Sequence, residues 1–289
     1  MSKKIIIAEP HGYCGNDRFG VKAAVHIAQE TAKKYPNKTY LLGEIVHNQH
    51  VVDWLEKEHG VKTVHRLEEI PQGATVIIRA HGEPPATYQK ARGRGLNIID
   101  ATCPLVLQVH REVKKLASEG KKILYIASKK DHHEAVGVAG EAPEAVILTT
   151  LKELDKVKIA EPEKTIVLTQ TTLSILETEK KLKQLKEKYP QLTIKPHICL
   201  ATTQRQQAVI ELAKKIGLVV IVGSPTSSNS NRLREVAELA GAQAYIVDTA
   251  NELNSDWFQG IEKVAVSSGA STPEWLLEEV IEKIRNFND

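Results

Sequence analysis

The chain has 289 residues, enough for about two domains, and its 42% hydrophobic and 26% charged residues are typical of a globular protein. Its 39 basic and 36 acidic side chains leave a net charge of +3, spread along helix faces, so the sequence predicts no nucleic-acid partner. No apolar run approaches the roughly 18 residues that a membrane span needs, and no targeting segment is visible, so we expect a cytoplasmic protein without a membrane partner.

Short β-branched runs alternate with amphipathic helical runs along the chain. The predicted strands are KIIIAE, KTYLLGEI, TVIIRA, LNIIDA, KKILYIA, AVILTT, KTIVLTQ, LTIKPHI, LVVIVG, AQAYIVD and KVAVSS. Helical periodicity of about 3.6 residues recurs between most of them, from RFGVKAAVHIAQETAKKY to PEWLLEEVIEKIRNF. Continuous apolar strands are typical of parallel sheets buried on both faces. The sequence therefore predicts an α/β fold with parallel sheets.

The three cysteines recur at a regular spacing, each between a strand and a long helix. Cys14, Cys103 and Cys199 are followed by similar series of strand–helix units. We therefore expect three similar α/β modules in a pseudo-threefold arrangement around a central site. Their predicted ranges are 15–102, 103–197 and 198–289, and the N-terminal strand, in 1–14, is expected to join the third.

Polar side chains follow nearly every predicted strand. They are Cys14, His47, His81, Cys103, His132, His133, Glu134, Thr171, Thr172, Cys199, Ser227, Ser228, Asn229 and Ser271. Ligands of parallel α/β sheets bind beyond the carboxyl ends of the strands. A single histidine at such a place is more often structural, but so many polar groups in one topological position predict a shared site.

The cysteines have three interpretations from residue type alone. Free cysteines are most often small buried hydrophobic residues. At predicted helix N-termini, however, their thiolates are favoured and suit a metal. A catalytic zinc stays open, although structural zinc usually has four, closely spaced ligands. An iron–sulfur cluster also stays open, and three cysteines would leave one iron available to substrate.

The remaining groups indicate an anionic substrate and proton transfer. His47 and His81 can donate to phosphate oxygens, and the segment SSNSNR lies just before a helix, where N–H groups favour anions. No P-loop or dinucleotide fingerprint is present. Glu134, with Thr171 and Thr172, can relay protons, although a carboxylate in a first helical turn is also an ordinary structural feature.

Taken together, the motifs resemble one family across nearly the whole chain. They are GYCGNDR, GEIVHN, RAHG, IDATCPLV, HHEAVG, TQTTLS, ICLATTQRQ, VVGSPTSSNSNRL and SSGASTPEWL, in the order and spacing of the LytB/IspH family. Each motif alone is of modest specificity, but the set in register is highly specific. The chain is thus similar to reductases of 4-hydroxy-3-methylbut-2-enyl diphosphate.

The resemblance implies a role for each matching residue. Cys14, Cys103 and Cys199 match the ligands of a [4Fe-4S] cluster with one open iron site. The matches to the substrate pocket are His47, His81, His132, Thr171, Thr172, Ser227, Ser228, Asn229 and Ser271. Glu134 matches the acid that delivers protons, with Thr171 as its hydrogen-bonded partner and His132 near the substrate hydroxyl.

The implied reaction is the last step of the non-mevalonate isoprenoid pathway. Two electrons and two protons remove the allylic hydroxyl as water, which gives isopentenyl diphosphate and dimethylallyl diphosphate. The implied partners are this allylic diphosphate and an external electron donor of the ferredoxin or flavodoxin type.

The sequence departs from the family pattern at two of these motifs. The segment CGNDR after Cys14 is one residue shorter than the usual spacing, and the usual His-Pro-Glu reads His-His-Glu at 132–134. Two other functions stay open from the residues: a dehydratase or hydrolase acting on another phosphorylated small molecule, and a non-catalytic metal or cluster protein such as a sensor.

Overall fold

A computed structural model describes residues 3–287, and it contains alternating strands and helices throughout. The strands are β1 Lys4–Ile7, β2 Thr39–Leu42, β3 Lys62–Val64, β4 Thr75–Ile78, β5 Asn97–Asp100, β6 Lys122–Ala127, β7 Val146–Thr150, β8 Thr165–Thr169, β9 Thr193–Lys195, β10 Leu218–Val222, β11 Gln243–Val247 and β12 Lys263–Ser268. The helices are α1 Gly20–Lys34, α2 Gln49–His59, α3 Pro85–Gly93, α4 Pro104–Ser118, α5 His133–Ala139, α6 Ile175–Lys188, α7 Leu200–Ala213, α8 Ser228–Leu239 and α9 Glu274–Arg285.

The strands form three parallel sheets of four strands, all with the same topology. The orders are β3-β2-β4-β5, β7-β6-β8-β9 and β11-β10-β12-β1. When the strands of each sheet are renumbered from 1 to 4 along the chain, and β1 is counted as the fourth strand of the last sheet, all three sheets have the order 2-1-3-4. The predicted α/β class, with three similar modules built on parallel sheets, is confirmed.

The N-terminal strand completes the sheet formed by the last part of the chain. β1 pairs in parallel with β12, in a register that places Lys4 opposite Lys263 and Ile7 opposite Val266. This is the pairing expected for the strand in 1–14. The borders of the three modules and their pseudo-threefold arrangement stay predictions, and their terminal residues 1–2 and 288–289 lie outside the described residues.

The described chain packs as two compact units. One consists of the chain up to Cys14, the segment His47–Val51 and the chain from Leu200 onward. It contains the sheet of β1, β10, β11 and β12. The other consists of Gly15–Val46 and Val52–Cys199 and contains the other two sheets.

Both faces of the sheets are buried, which explains the unbroken apolar strands. In β10, Val220 and Val222 pack with α9, whereas Val219 and Ile221 face α7 and α8. In β6, Ile123 and Tyr125 pack with α4 and α5, whereas Leu124 and Ile126 lie on the opposite face. Side chains alternate between the two faces of a strand, so a strand covered on both sides needs apolar residues at every position.

Two short elements are absent from the prediction based on sequence. β3 has only three residues, Lys62–Val64, which is too few for a recognisable pattern. α5 has seven residues and begins at the second histidine of HHEAVG. Its N-cap is His132, whose Nδ1 accepts a hydrogen bond from the Glu134 backbone N–H at 3.2 Å. No helix within residues 3–287 is both long and apolar enough to cross a membrane.

Candidate active site

The three cysteines occupy equivalent places, each in the segment that follows the fourth strand of its sheet. In each case the cysteine N–H donates to the carbonyl of the residue two positions beyond the third strand, at 3.0 Å. The pairs are Cys14 with Ala270, Cys103 with Ala80 and Cys199 with Thr171. The same backbone hydrogen bond therefore fixes each cysteine beside the carboxyl end of a third strand.

The cysteines differ in their relation to helices. Cys103 is the N-cap of α4, and Cys199 directly precedes α7. The expectation that every cysteine lies at a helix N-terminus is wrong for Cys14, because a turn, 15–19, separates it from α1. All three cysteines are partly exposed. Free N–H groups at a helix N-terminus favour anionic groups, and Cys103 and Cys199 lie at such a place.

The turn that follows Cys14 is the one that is shortened relative to the family pattern. Gly15 has a φ of +86°, and a Cβ on it would lie 2.0 Å from the Phe19 carbonyl oxygen. The Asn16 N–H donates to that oxygen at 3.0 Å, and the Arg18 N–H donates to Asn16 Oδ1 at 2.9 Å. Only glycine fits this first position, because any side chain would collide with the closed turn.

The segment that leads to Cys14 is also tightly held. The buried Arg205 donates through Nη2 to the carbonyls of His11 at 3.1 Å and Gly12 at 2.7 Å. The Gly12 N–H in turn donates to Ser268 Oγ at 2.7 Å. The backbone before Cys14 is therefore fixed by a guanidinium and by the end of β12.

The three thiols have the chemistry of cluster ligands. Within residues 3–287, no group of three or more histidine, cysteine, aspartate or glutamate side chains is arranged to hold a metal ion. Thiolates are nevertheless the soft ligands that iron–sulfur clusters take. The equivalent backbone anchors of Cys14, Cys103 and Cys199 add to this chemical fit.

Glu134 is a buried carboxyl with three hydrogen-bond partners. It lies in the first turn of α5 and is 1% exposed. Its Oε1 accepts from the Thr171 N–H at 2.8 Å and from the Tyr125 hydroxyl at 3.1 Å. Its Oε2 lies 2.8 Å from Thr171 Oγ1. The predicted pairing of Glu134 with Thr171 is therefore present, although Thr171 contributes its backbone as well as its hydroxyl.

Burial raises the pKa of Glu134 above its ordinary value of 4.5. The hydrogen bonds from Thr171 and Tyr125 lower it, as does the nearby His197, but desolvation is the larger effect. A carboxyl whose pKa is raised by burial remains protonated to higher pH, which a general acid requires.

Gln170 connects two more of the predicted site residues. It is fully buried, and its Oε1 accepts from the Ser128 N–H at 2.8 Å and from Ser128 Oγ at 2.9 Å. Its Nε2 donates to Thr172 Oγ1 at 2.8 Å and lies 3.3 Å from His132 Nε2. This amide therefore fixes the positions of Thr172 and His132 beside β8.

Two histidines of the predicted site face each other in the same unit. The rings of His81 and His132 have centroids 5.7 Å apart and meet edge to face at 85°. With Glu134 and Thr171, they form a cluster of donors and acceptors at the ends of β4, β6 and β8. The structure thus brings His81, His132, Glu134 and Thr171 to neighbouring strand ends, whereas the side chain of His133 is exposed on α5.

The other unit contains a polar set around the N-terminus of α8. Ser227 is the N-cap, and its Oγ accepts from the Ser230 N–H at 3.3 Å, while Ser228 begins the helix. Asn229 is 4% exposed, and among the described residues neither Oδ1 nor Nδ2 of its side chain has a hydrogen-bond partner. An unsatisfied buried amide is costly, so this amide beside a helix N-terminus is suited to an anionic or polar ligand.

His47 and Ser271 belong to the same unit as this polar set. The Ser271 hydroxyl donates to the His47 backbone carbonyl at 3.1 Å, and Ser271 is 6% exposed. The next residue, Asn48, is also buried, and its Oδ1 accepts from the Val51 N–H at 3.3 Å. Ser271 therefore ties the loop after β12 to the segment that carries His47.

Sequence reasoning missed three buried residues that support the site. Gln170 lies in the motif TQTTLS directly before the selected Thr171 and Thr172, so its place at a strand end was a usable signal. Arg205 lies in ICLATTQRQ, but nothing in that pattern indicates carbonyls as its partners. Tyr125 gave no signal, because an aromatic residue inside an apolar strand is indistinguishable from a core residue.

The raised pKa of Glu134 predicts a pH-dependent cost to stability. Between pH 4.5 and the folded pKa, the folded protein keeps a proton that the unfolded chain releases, so the free energy of unfolding falls as the pH rises. In Glu134→Gln this dependence should disappear. The unfolding free energy of wild type minus that of the variant should therefore fall by about 1.4 kcal/mol for each pH unit between these two pKa values.

Equilibrium urea unfolding at a series of pH values measures this difference. Glu144→Gln is the matched control, because Glu144 is exposed and its replacement should leave no such slope. A difference between wild type and Glu134→Gln that does not vary with pH would contradict the assignment of a raised pKa.

Comparison with known proteins places the chain in a family. The family model described as LytB protein matches residues 5–285. A 4-hydroxy-3-methylbut-2-enyl diphosphate reductase of Streptomyces avermitilis is 44% identical over 99% of this chain and 85% of its own length. The reductase of the same name from Neisseria gonorrhoeae is 43% identical over 99% of this chain and 88% of its own length.

Solved structures agree with these matches. The E-1-hydroxy-2-methyl-but-2-enyl-4-diphosphate reductase from Plasmodium falciparum superposes with a TM-score of 0.91 at 33% identity, over 98% of this chain and 88% of its own. A second, described as (E)-4-hydroxy-3-methyl-but-2-enyl diphosphate reductase, the terminal enzyme of the non-mevalonate pathway, has a TM-score of 0.67 at 35% identity, over 98% of this chain and 99% of its own. With a family model that spans almost every residue, and relatives above 40% identity over the full length, this chain belongs to the LytB protein family.

Proposed function

We propose that this protein is a 4-hydroxy-3-methylbut-2-enyl diphosphate reductase, the last enzyme of the non-mevalonate isoprenoid pathway. The observation that carries the proposal is the similarity to reductases of this name over 99% of the chain. The reaction breaks the allylic C–O bond, consumes two electrons and two protons, and yields water with isopentenyl diphosphate or dimethylallyl diphosphate. A cytoplasmic one-electron carrier of the ferredoxin or flavodoxin type is the proposed electron source.

The proposed cofactor is a [4Fe-4S] cluster held by Cys14, Cys103 and Cys199. When bound, such a cluster supplies electrons and a Lewis-acidic iron. The backbone anchors of the three cysteines support this assignment, because they hold each cysteine at an equivalent strand end.

The proposed acid is Glu134, which works from a dry site. Its Oε1 is committed to the Thr171 N–H, which can only donate, so the acidic proton is held at Oε2. There Thr171 Oγ1 can accept that proton and pass on its own. Burial keeps the carboxyl protonated at higher pH and excludes water that would compete for the proton.

The proposed diphosphate site uses His47, His81, Ser227, Ser228, Asn229 and Ser271, with His132 near both the hydroxyl and the diphosphate. The first N–H groups of a helix such as α8 lack intrahelical partners and attract anions. The unsatisfied amide of Asn229 supports this role, because a diphosphate oxygen would accept from its Nδ2. Hydrogen bonds here replace the lysine of a P-loop.

Turnover with a reduced dye tests the proposal. We expect protein prepared anaerobically with iron and sulfide to oxidise reduced viologen only when the allylic diphosphate is present, and to release both five-carbon diphosphates. Metal analysis should find iron and sulfide. One zinc per chain without iron, or dye oxidation that does not depend on the substrate, would overturn the assignment.

Replacement of Glu134 should reduce turnover without reducing the amount of cofactor that the protein holds. In Glu134→Gln the amide preserves the shape but has no acidic proton, so kcat should fall by about 10²- to 10⁴-fold at unchanged iron content. Glu144→Gln, with its exposed side chain, should retain wild-type kcat. Full activity of the Glu134→Gln protein would remove Glu134 from the mechanism.

Asn229→Ala should weaken substrate binding without weakening the fold. Loss of a hydrogen bond to a charged oxygen should raise KM by about 10- to 100-fold, while the thermal midpoint stays unchanged or rises because an unsatisfied amide is removed.

The matched control for this variant is Asn231→Ala. Asn231 Nδ2 already donates to the carbonyls of Pro225 at 2.7 Å and Ser227 at 2.9 Å. Its removal should therefore lower stability by about 1–2 kcal/mol. A loss of stability in Asn229→Ala equal to that in Asn231→Ala would show that Asn229 is structural.

A further inference from the structure

We propose that Tyr125 is a positioning residue for Glu134, and that its hydroxyl restricts the acidic proton to Oε2. This inference rests on the proposed role of Glu134 as the acid. Tyr125 lies in β6 and is fully buried, and its hydroxyl is 3.1 Å from Glu134 Oε1.

The two oxygens of the Glu134 carboxyl have different surroundings. Oε1 accepts from the Thr171 N–H, a group that has no acceptor capacity, and it also has the Tyr125 hydroxyl within hydrogen-bond distance. The partner of Oε2 among the described residues is a hydroxyl, Thr171 Oγ1, at 2.8 Å. A proton on Oε1 would point at a donor, whereas a proton on Oε2 finds an acceptor.

Tyr125 strengthens this asymmetry. With the Thr171 N–H already at Oε1, the tyrosine hydroxyl acts there as a second donor, so Oε1 carries the carbonyl character and Oε2 the proton. The phenol itself remains protonated, because burial raises the pKa of Tyr125 well above its ordinary value of 10.0. It therefore acts as a donor and not as a competing acid near neutral pH.

The fold explains why this contact forms. Tyr125 lies on the face of β6 that packs with α4 and α5, and Glu134 follows nine residues later in the chain, in the first turn of α5. A phenylalanine would fill the same space, so the hydroxyl is dispensable for packing. Its buried oxygen is instead paired with the one carboxyl of that helix turn.

Other titratable groups face this region from the neighbouring elements. On α4, His110 lies 2.9 Å from Glu141 through Nδ1, and its ring packs against Gly137 of α5. In the segment after β9, His197 lies 2.8 Å from Glu112, and its charge lowers the pKa of Glu134. His132 caps α5 itself. None of these replaces the donor at Oε1.

Tyr125→Phe tests the proposal, with Tyr40→Phe as the matched control. Tyr40 is a buried tyrosine of β2, which lies in a different sheet. In the holoenzyme, Tyr125→Phe should lower kcat by about 3- to 10-fold with KM within about twofold, because the proton is less well placed. In the dependence of kcat on pH, the decrease on the alkaline side should move to a pH about one unit higher, because the Glu134 carboxylate loses a hydrogen-bond donor and its pKa rises.

An infrared measurement makes the test independent of turnover. The difference between wild type and Glu134→Gln isolates the band of the protonated carboxyl. In Tyr125→Phe this band should shift to higher frequency, because the carbonyl oxygen loses a donor, and its titration should move to higher pH. A band and a titration identical to those of wild type and Tyr40→Phe would overturn the inference. If wild type shows the expected band difference but never reduces the allylic diphosphate, the proposed function fails and the positioning role stands.

Discussion

The site depends on one repeated backbone hydrogen bond, which joins each cysteine N–H to the carbonyl beyond a third strand. This bond uses no side chain, so it constrains the cysteine position without constraining the neighbouring sequence. Because three sheets share the order 2-1-3-4, the same bond delivers a thiol at the same place in each. The surrounding residues are then free to differ, as the N-cap at Cys103 and the closed turn after Cys14 do.

The buried polar groups of the candidate site are of two kinds, those that are fully hydrogen-bonded and those that are not. Glu134, Thr171 and Gln170 form a buried network in which each polar atom at the carboxyl and the amide has a partner, which holds the groups in one geometry. Within residues 3–287, the buried amide of Asn229 has no partner. The first arrangement suits the proposed proton transfer, and the second suits the proposed diphosphate, an oxygen of which would accept from the amide.

Much of this could be predicted from the sequence, because strand ends are visible as the points where apolar runs stop. The cysteines, Glu134 and Asn229 all lie at such points. The supporting contacts could not be predicted, since they depend on which face of a strand meets which helix. Tyr125 reads as a core residue and Arg205 as a helix surface residue. The turn after Cys14 could not be predicted either, because it depends on a Gly15 φ of +86°, which produces no periodic pattern of apolar residues in the sequence.

The pairing of β1 with β12 has a consequence for the order in which the molecule is made. Synthesis produces β1 before β12, so Ile5 and Ile6 cannot pair with Val264 and Ala265 until the chain between the two strands has been made. The unit that contains Cys103 and Cys199 has all its residues available earlier. Domains fold as their residues emerge, so a nascent chain can hold these two thiols in place before the backbone hydrogen bond of Cys14 forms.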